Sequence, residues 1–233
     1  MADPETDYSH EFIRAALPGS ARRLLEIGCG SGALAERLKA DGYEVVALDS
    51  DAGCVAEASR RGVDARLAAW PDFSHGLFDA VLFTRSLHHV RDLDASVAAA
   101  FACLAPDGSV IVEDFDAAFA DETTFVWLKG LLRVLRAAGI AIERSDYLRG
   151  LLLPGGGDHR EHHHDLHSAA AIDAALRLAA RSVRTEPAAY FFRYVARTAP
   201  GRAPLIEALE AHELELIRTG RIAPLGRRWV AAR

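Results

Sequence analysis

The 233-residue chain has little of what marks secreted, membrane-spanning or nucleic-acid-binding proteins. Its three cysteines, Cys29, Cys54 and Cys103, are scattered and odd in number. That excludes a disulfide framework and fits reduced thiols. Lysine occurs only at Lys39 and Lys129, and acids outnumber bases to a net charge of -6, so the electrostatic footprint of a nucleic-acid binder is missing. No apolar run is long enough to cross a bilayer. The first residues, Met-Ala-Asp-Pro-Glu-Thr-Asp, are acidic and carry no apolar stretch of the kind a signal peptide needs. The expectation is a cytoplasmic protein with neither nucleic acid nor membrane as partner; the oligomeric state is not readable. The length suits one α/β domain over residues 1–233, and a hydrophobic fraction of 50% suffices for its core.

What is there is concentrated in residues 24–49. Leu-Leu-Glu-Ile (24–27) reads as a short buried strand, followed by a turn built on Gly28, Gly30 and Gly32. A helix is expected over 33–40, stopped by Gly42, and then a second strand over 43–48 that ends on Asp49. Glycines let a ligand approach the backbone without Cβ atoms in the way. An acid at the tip of the second strand suits the two hydroxyls of a ribose. Gly28, Gly30 and Ala33 also satisfy the degenerate dinucleotide fingerprint. Glu26 speaks against it, because a carboxylate at the mouth of the first strand would face a pyrophosphate with like charge and suits an ammonium group instead. The additional Gly32 flattens the turn where a helix start would cradle phosphate.

Further along, the pattern alternates. Helix is expected over 52–61, strand over 63–67, and a buried parallel strand over the continuous apolar run 78–83. Asp92 would cap a helix carrying Leu93, Val97, Phe101 and Leu104, and residues 109–112 form the fifth strand, ending in Glu113, Asp114 and Asp116. Such alternation predicts a doubly wound, Rossmann-like seven-stranded sheet, mostly parallel with an antiparallel closing strand, plus a helical or irregular insertion. Ligands of such sheets bind beyond the carboxyl ends of the strands. Helices are expected over 125–138, over 169–181 capped by Ser168, and over 204–218; residues 183–186 and 190–195 are expected to be a closing pair of strands around Pro187. The chain would divide into a cofactor half (22–116), an insertion or lid (117–167) and a sheet-closing part (168–233).

The pattern Glu26-x-Gly28-x-Gly30-x-Gly32 resembles the first motif of class I S-adenosylmethionine-dependent methyltransferases. Phe-Asp-Ala-Val-Leu-Phe-Thr-Arg-Ser-Leu-His-His-Val (78–90) is similar to the fourth-strand motif of the type 11 methyltransferase group. Leu-Ala-Pro-Asp-Gly-Ser-Val-Ile-Val-Glu (104–113) is similar to the helix-turn-strand that follows there. The resemblance covers residues 22–116 and implies S-adenosyl-L-methionine as cofactor. It places Glu26, Gly28, Cys29, Gly30 and Gly32 at the methionine part, and Asp49 with Ser50 at the ribose. Ala69 with Trp70 falls at the adenine and Thr84 close by. The chain departs from the family after the third strand, where Ala68-Ala69-Trp70 stands in place of an Asp; adenine recognition would there rest on backbone groups and stacking.

Methyl transfer is an in-line displacement, and a hydroxyl or amine acceptor needs a base. His88 and His89 follow the fourth strand; one is expected to pack and the other to serve the acceptor, with His89 favoured. Residues 158–167 hold five histidines. If helical, His159, His163 and His167 would stack at metal-compatible spacing; the segment is read first as a lid bringing His164 or His167 to the acceptor, with a merely solvated loop as the other alternative. The expected function is methyl transfer to a small-molecule acceptor. The alternatives are a non-catalytic S-adenosylmethionine-binding or interaction protein, a methyltransferase for protein or RNA, and a nicotinamide oxidoreductase, which Glu26 disfavours.

Overall fold

In the computed structural model, residues 4–73, 76–115, 121–140, 166–198 and 201–233 are described. The elements run α1 (Pro4–Ala16), β1 (Arg23–Ile27), α2 (Ala33–Ala40), β2 (Glu44–Asp49), α3 (Ala52–Arg60), β3 (Asp64–Leu67) and β4 (Phe78–Thr84). They continue with α4 (Leu93–Ala102), β5 (Leu104–Phe115), α5 (Glu122–Ala137), α6 (Ala169–Ala179), β6 (Ser182–Ala188), α7 (Phe192–Thr198), α8 (Ala203–Arg218) and β7 (Gly226–Ala232). The seven strands form one sheet in the order β3-β2-β1-β4-β5-β7-β6, mostly parallel with antiparallel closing strands. By internal contacts the chain divides into two compact units, residues 6–114, 167–186 and 228–233 in one, residues 1–5, 115–166 and 187–227 in the other.

In the first unit the side chains of each central strand alternate between two cores. Leu25, Ile27, Val46, Leu48, Val81, Phe83, Val110 and Val112 face α4, α6 and Trp229. Leu24, Val45, Ala47, Ala80, Leu82 and Ile111 face α1, α2 and α3. A sheet covered on both faces needs apolar residues at every strand position, which is why 78–83 reads as an unbroken run. Polar side chains are left to the strand ends, where they gather at the carboxyl edge. The parallel register pairs Ile27 with both Leu48 and Phe83, and Thr84 with Glu113, so those edges are level. Asp51, Asp92 and Ser168 cap α3, α4 and α6 by accepting the backbone N–H of Cys54, Ala95 and Ala171.

The expected strand over 190–195 is a correction. Residues 192–198 are helix α7, and the seventh strand is Gly226–Ala232. The cause lies in the second unit: the carboxylate of Glu213, buried on α8, accepts the N–H groups of Tyr190, Phe191 and Phe192 at 2.7, 3.0 and 3.1 Å. Three donors gathered on one carboxylate fit a helix start and not a ladder. Burial pushes Glu213 up to about 7, against the pull of those same hydrogen bonds and of Arg193. Glu213→Ala leaves three buried amides without acceptors and is expected to cost roughly 3–5 kcal/mol. Urea unfolding checks the magnitude, and hydrogen exchange at residues 190–192 should rise from protected to fast; unchanged protection would refute the assignment.

Candidate functional site

Glu26 is the anchor of the carboxyl edge. Its side chain points to the α1/α2 face of the sheet, in step with Leu24, and is 1% exposed. Oε1 accepts the hydroxyl of Thr84 at 3.3 Å, while Oε2 is buried with no hydrogen-bond partner among the described residues. Burial pushes Glu26 up to about 8; the Thr84 hydroxyl, the Arg85 charge and, least, the Ala35 N–H oppose the rise, and Asp49 adds to it. A carboxylate kept out of water with one oxygen unmatched is a site short of a cation.

The turn after β1 is tied to β2: Gly28 and Cys29 donate to the Leu48 carbonyl at 2.8 and 2.9 Å, and Gly30 donates to Asp49 Oδ2 at 2.8 Å. Asp49 Oδ1 accepts the Asp51 N–H at 2.9 Å. One Asp49 oxygen thus spends a lone pair on the turn after β1 and the other on its own loop, and each keeps another for an incoming hydroxyl. Gly28 and Gly32 are filled from behind, by Ser86 and Ala58, whereas a Cβ on Gly30 would meet nothing within 4 Å. The floor of the turn is packed and its middle is open. Gly32 is thereby explained by the close approach of α3, a cause different from the flattening argued from the sequence. Cys29 is 8% exposed and burial pushes its thiol up to about 12, which fits packing and not reactivity. Ser50 is exposed beside Asp49.

After β3, Ala68 donates to the Asp49 carbonyl at 3.0 Å, and Ala69 is exposed. The Trp70 indole donates to the Ser96 carbonyl at 3.2 Å and meets Phe83 edge-on at 6.1 Å, so its ring is committed to the core. Only the backbone of 69–70 is left to serve as a rim. After β4, Arg85 takes positive φ (58°) and donates its N–H to Glu113 O at 2.7 Å, and Ser86 Oγ donates to Ile27 O at 2.6 Å. His88 is buried and His89 is exposed, which decides between the two. Glu113 and Asp114 are both consumed inside the first unit, on opposite faces of the sheet. Glu113 accepts Ser9 Oγ at 2.6 Å and Arg228 Nε at 2.8 Å. Asp114 accepts the His88 N–H at 3.1 Å, and its other oxygen lies 2.5 Å from His88 Nδ1. Neither carboxylate is left for an acceptor.

His167 is half-buried and tied to the same turn: its N–H donates to His88 O at 3.0 Å and its Nε2 lies 2.8 Å from Val90 O. A carbonyl only accepts, so Nε2 carries the proton. His164, Asp116 and the rest of the histidine-rich run lie outside the described residues. No group of three or more metal-ligating side chains occurs among the described residues, and none of the described helices is long and apolar enough to cross a membrane. Sequence reasoning missed Ser86, Arg85 and the Arg228–Glu113–Ser9 network; the alternation in 226–232 was the one available sign of the last.

Against this geometry, S-adenosylmethionine fits. It brings an ammonium for the unmatched Glu26 oxygen, a diol for Asp49, and no phosphate to clash with Glu26. The chain matches the family described as "Methyltransferase domain" over residues 4–179. A ubiquinone biosynthesis O-methyltransferase of Xanthomonas axonopodis pv. citri (strain 306) is 29% identical over 176 residues, 72% of this chain and 65% of that protein. The chain thus spans about 65% of the length of that curated relative. Among solved structures, phosphoethanolamine N-methyltransferase 2 of Haemonchus contortus, in complex with S-adenosyl-L-methionine, superposes with a TM-score of 0.59 at 14% identity, covering 97% of this chain and 52% of that one. The [4+2]-cyclase SpnF superposes with a TM-score of 0.57 at 18% identity, covering 97% and 80%. At such identities the two structures show the shared fold. With the family matched across three quarters of its length, the chain belongs to the methyltransferase domain family, as a class I domain whose cofactor is S-adenosylmethionine.

Proposed function

We propose that the protein transfers a methyl group from S-adenosylmethionine to a small molecule through a hydroxyl or amine. The observation that carries this reading is the Glu26–Asp49 pair: a buried carboxylate with an unmatched oxygen and, at the next strand end, a carboxylate with acceptor capacity to spare. Glu26 would hold the ammonium, the 28–32 turn the methionine chain, Asp49 with Ser50 the ribose hydroxyls, and the backbone of Ala69 and Trp70 the adenine. Thr84 keeps Glu26 oriented. When bound, the cofactor supplies a methyl carbon activated by a neighbouring sulfonium.

What remains for the protein is to align the acceptor and remove its proton. His89, exposed on the turn after β4, is the candidate base. His167 enters as a brace of that turn, and His164 remains a candidate for the acceptor side. Residues 22–116 would be the cofactor half and 117–167 an insertion serving the acceptor. A small molecule is favoured because the curated relative is named for ubiquinone biosynthesis and because a net charge of -6 repels RNA. The cyclase on the same fold favours a second reading, a domain that binds the cofactor and does other chemistry.

Two measurements separate these readings. Calorimetry should show S-adenosylmethionine and S-adenosylhomocysteine binding and NAD not binding. Methyl-labelled cofactor incubated with a panel of phenols, catechols, amines and sugars should label at least one of them; binding without any labelling favours the second reading. Asp49→Ala should weaken S-adenosylhomocysteine by roughly 1.5–3 kcal/mol, about ten- to a hundredfold. Wild-type affinity in that variant would move the ribose elsewhere.

A further inference from the structure

Several elements converge on one short turn. From β5, Asp114 takes the His88 N–H at 3.1 Å on one oxygen and approaches the His88 Nδ1 at 2.5 Å with the other. Both side chains are buried, at 0% and 3% exposure. From just before α6, His167 donates its N–H to His88 O at 3.0 Å and its Nε2–H to Val90 O at 2.8 Å. His88 and Val90 are therefore fixed on either side of His89, the exposed residue between them. The His89 ring lies 3.9 Å from the His88 ring, centroid to centroid, at 41°.

A buried pair of this kind is a poor source of stability, since desolvation offsets most of the attraction and apolar side chains of equal volume do as well. It is a good source of fixed geometry. The turn also has ordinary means of closure: Asp92 caps α4, and Ser86 Oγ reaches back to Ile27 O. The additional constraints bear on the orientation of a single exposed imidazole at the carboxyl edge of the sheet.

We propose that Asp114, His88 and His167 are positioning residues that hold the His89 imidazole in the orientation in which it receives the proton of the methyl acceptor. This rests on the methyltransferase reading with His89 as base. Small misplacements of a proton-accepting group carry large rate penalties, so a rigid support for one flexible ring has a use that stability alone does not supply.

The test needs no known acceptor. The full chain, labelled with 15N-histidine and saturated with S-adenosylhomocysteine, is studied by ring-nitrogen correlation spectra, with His89 assigned through His89→Gln. In the wild type, the two His89 nitrogens should show the widely separated shifts of one dominant neutral tautomer. Asp114→Asn keeps an acceptor for the His88 N–H but removes the carboxylate from the ring, and His88→Gln removes the ring. Each should draw the two His89 shifts together while the Kd for S-adenosylhomocysteine stays within about twofold. For every acceptor the wild type methylates, the same variants should lower kcat at least tenfold with little change in KM. His167→Leu should act likewise, with His167→Gln between it and the wild type; this pair decides the matter if the buried variants fail to fold. Unchanged His89 shifts in all folded variants would overturn the proposal. Failure of the wild type to bind S-adenosylhomocysteine would overturn the cofactor reading beneath it, an outcome recognisable before any variant is made.

Discussion

Glu26→Gln is expected to weaken cofactor binding at least a hundredfold and, in the same protein, to raise stability at alkaline pH. Both effects follow from one buried carboxyl. In the folded chain burial pushes Glu26 up to about 8 from an ordinary 4.5. Between those values the native state holds a proton that the unfolded state has lost, so stability falls as pH rises through this window. Glutamine keeps the volume and never ionises, which removes the fall. A shift of this size corresponds to several kcal/mol at most, and a gain of about 1–3 kcal/mol at pH 8.5 is the expected result. Urea unfolding of both proteins at pH 5 and pH 8.5 reads it: near equality at the lower pH, separation at the higher.

The cofactor sees the opposite sign. An ammonium selects the carboxylate, so binding below pH 8 must expel the proton, and S-adenosylhomocysteine affinity should rise with pH, by up to tenfold per unit. The ligand's own amine, beside a free carboxylate, keeps its charge to higher pH than a peptide α-amino group at about 7.7–8.0, so affinity should level off above pH 8 and decline only as that amine deprotonates. Calorimetry at pH 7 in two buffers of different ionisation enthalpy should find close to one proton released per ligand bound. Glu26→Gln should bind at least a hundredfold more weakly and release none. Equal affinity in wild type and variant would remove Glu26 from the site.

The parts of this fold that were legible in the sequence are those where one physical cause dominates. Helix α2 falls on the expected residues 33–40 because glycines bound it on both sides, and β4 because a strand covered on both faces must be apolar throughout. The placement of Glu26 and Asp49 at the carboxyl edge was legible because each follows an apolar run next to a turn signal. Elements fixed by distant partners were not legible. Strand β7 carries Arg227 and Arg228 side by side, and beyond a short alternation the sequence alone points to no strand there. Its Arg228 is instead half of a buried pair with Glu113, 2.7 Å away, and lies over the Tyr8 and Phe12 rings at 4.0 and 4.5 Å. Those partners are over a hundred residues away in sequence. Tyr190-Phe191-Phe192 has strand composition, and only Glu213, twenty-one residues on, turns it into a helix start. The site shows the same division. Nothing local distinguishes His88 from His89, or Glu113 from Asp114; for the acids the choice is made by which face of the sheet each position on β5 presents, and for the histidines by how the turn after β4 aims them.

The glycines of the turn after β1 should separate folding from binding, although they stand two residues apart in one motif. A Cβ on Gly32 would sit 2.6 Å from the Ala58 Cβ and 2.9 Å from its Cα, and the second of these is backbone. Ala58 is fully buried on α3, so the helix itself must retreat, and the φ of +75° is unfavourable for alanine as well. Gly32→Ala is expected to cost roughly 2–5 kcal/mol in urea unfolding. A Cβ on Gly30 meets nothing within 4 Å, and the strain is confined to a φ of +53°. Gly30→Ala should therefore lose only about 1–2 kcal/mol of stability. Its methyl group, however, projects into the open middle of the turn, between the Gly30 N–H held by Asp49 and the mouth of β1 where Glu26 waits. If the cofactor's methionine chain lies there, S-adenosylhomocysteine affinity should drop at least tenfold in a protein that is otherwise well folded. Gly32→Ala, at temperatures where it remains folded, should keep more of its affinity than Gly30→Ala does. Wild-type binding by Gly30→Ala would mean that the open middle of the turn is not the cofactor's floor, and that Glu26 meets its cation from another side.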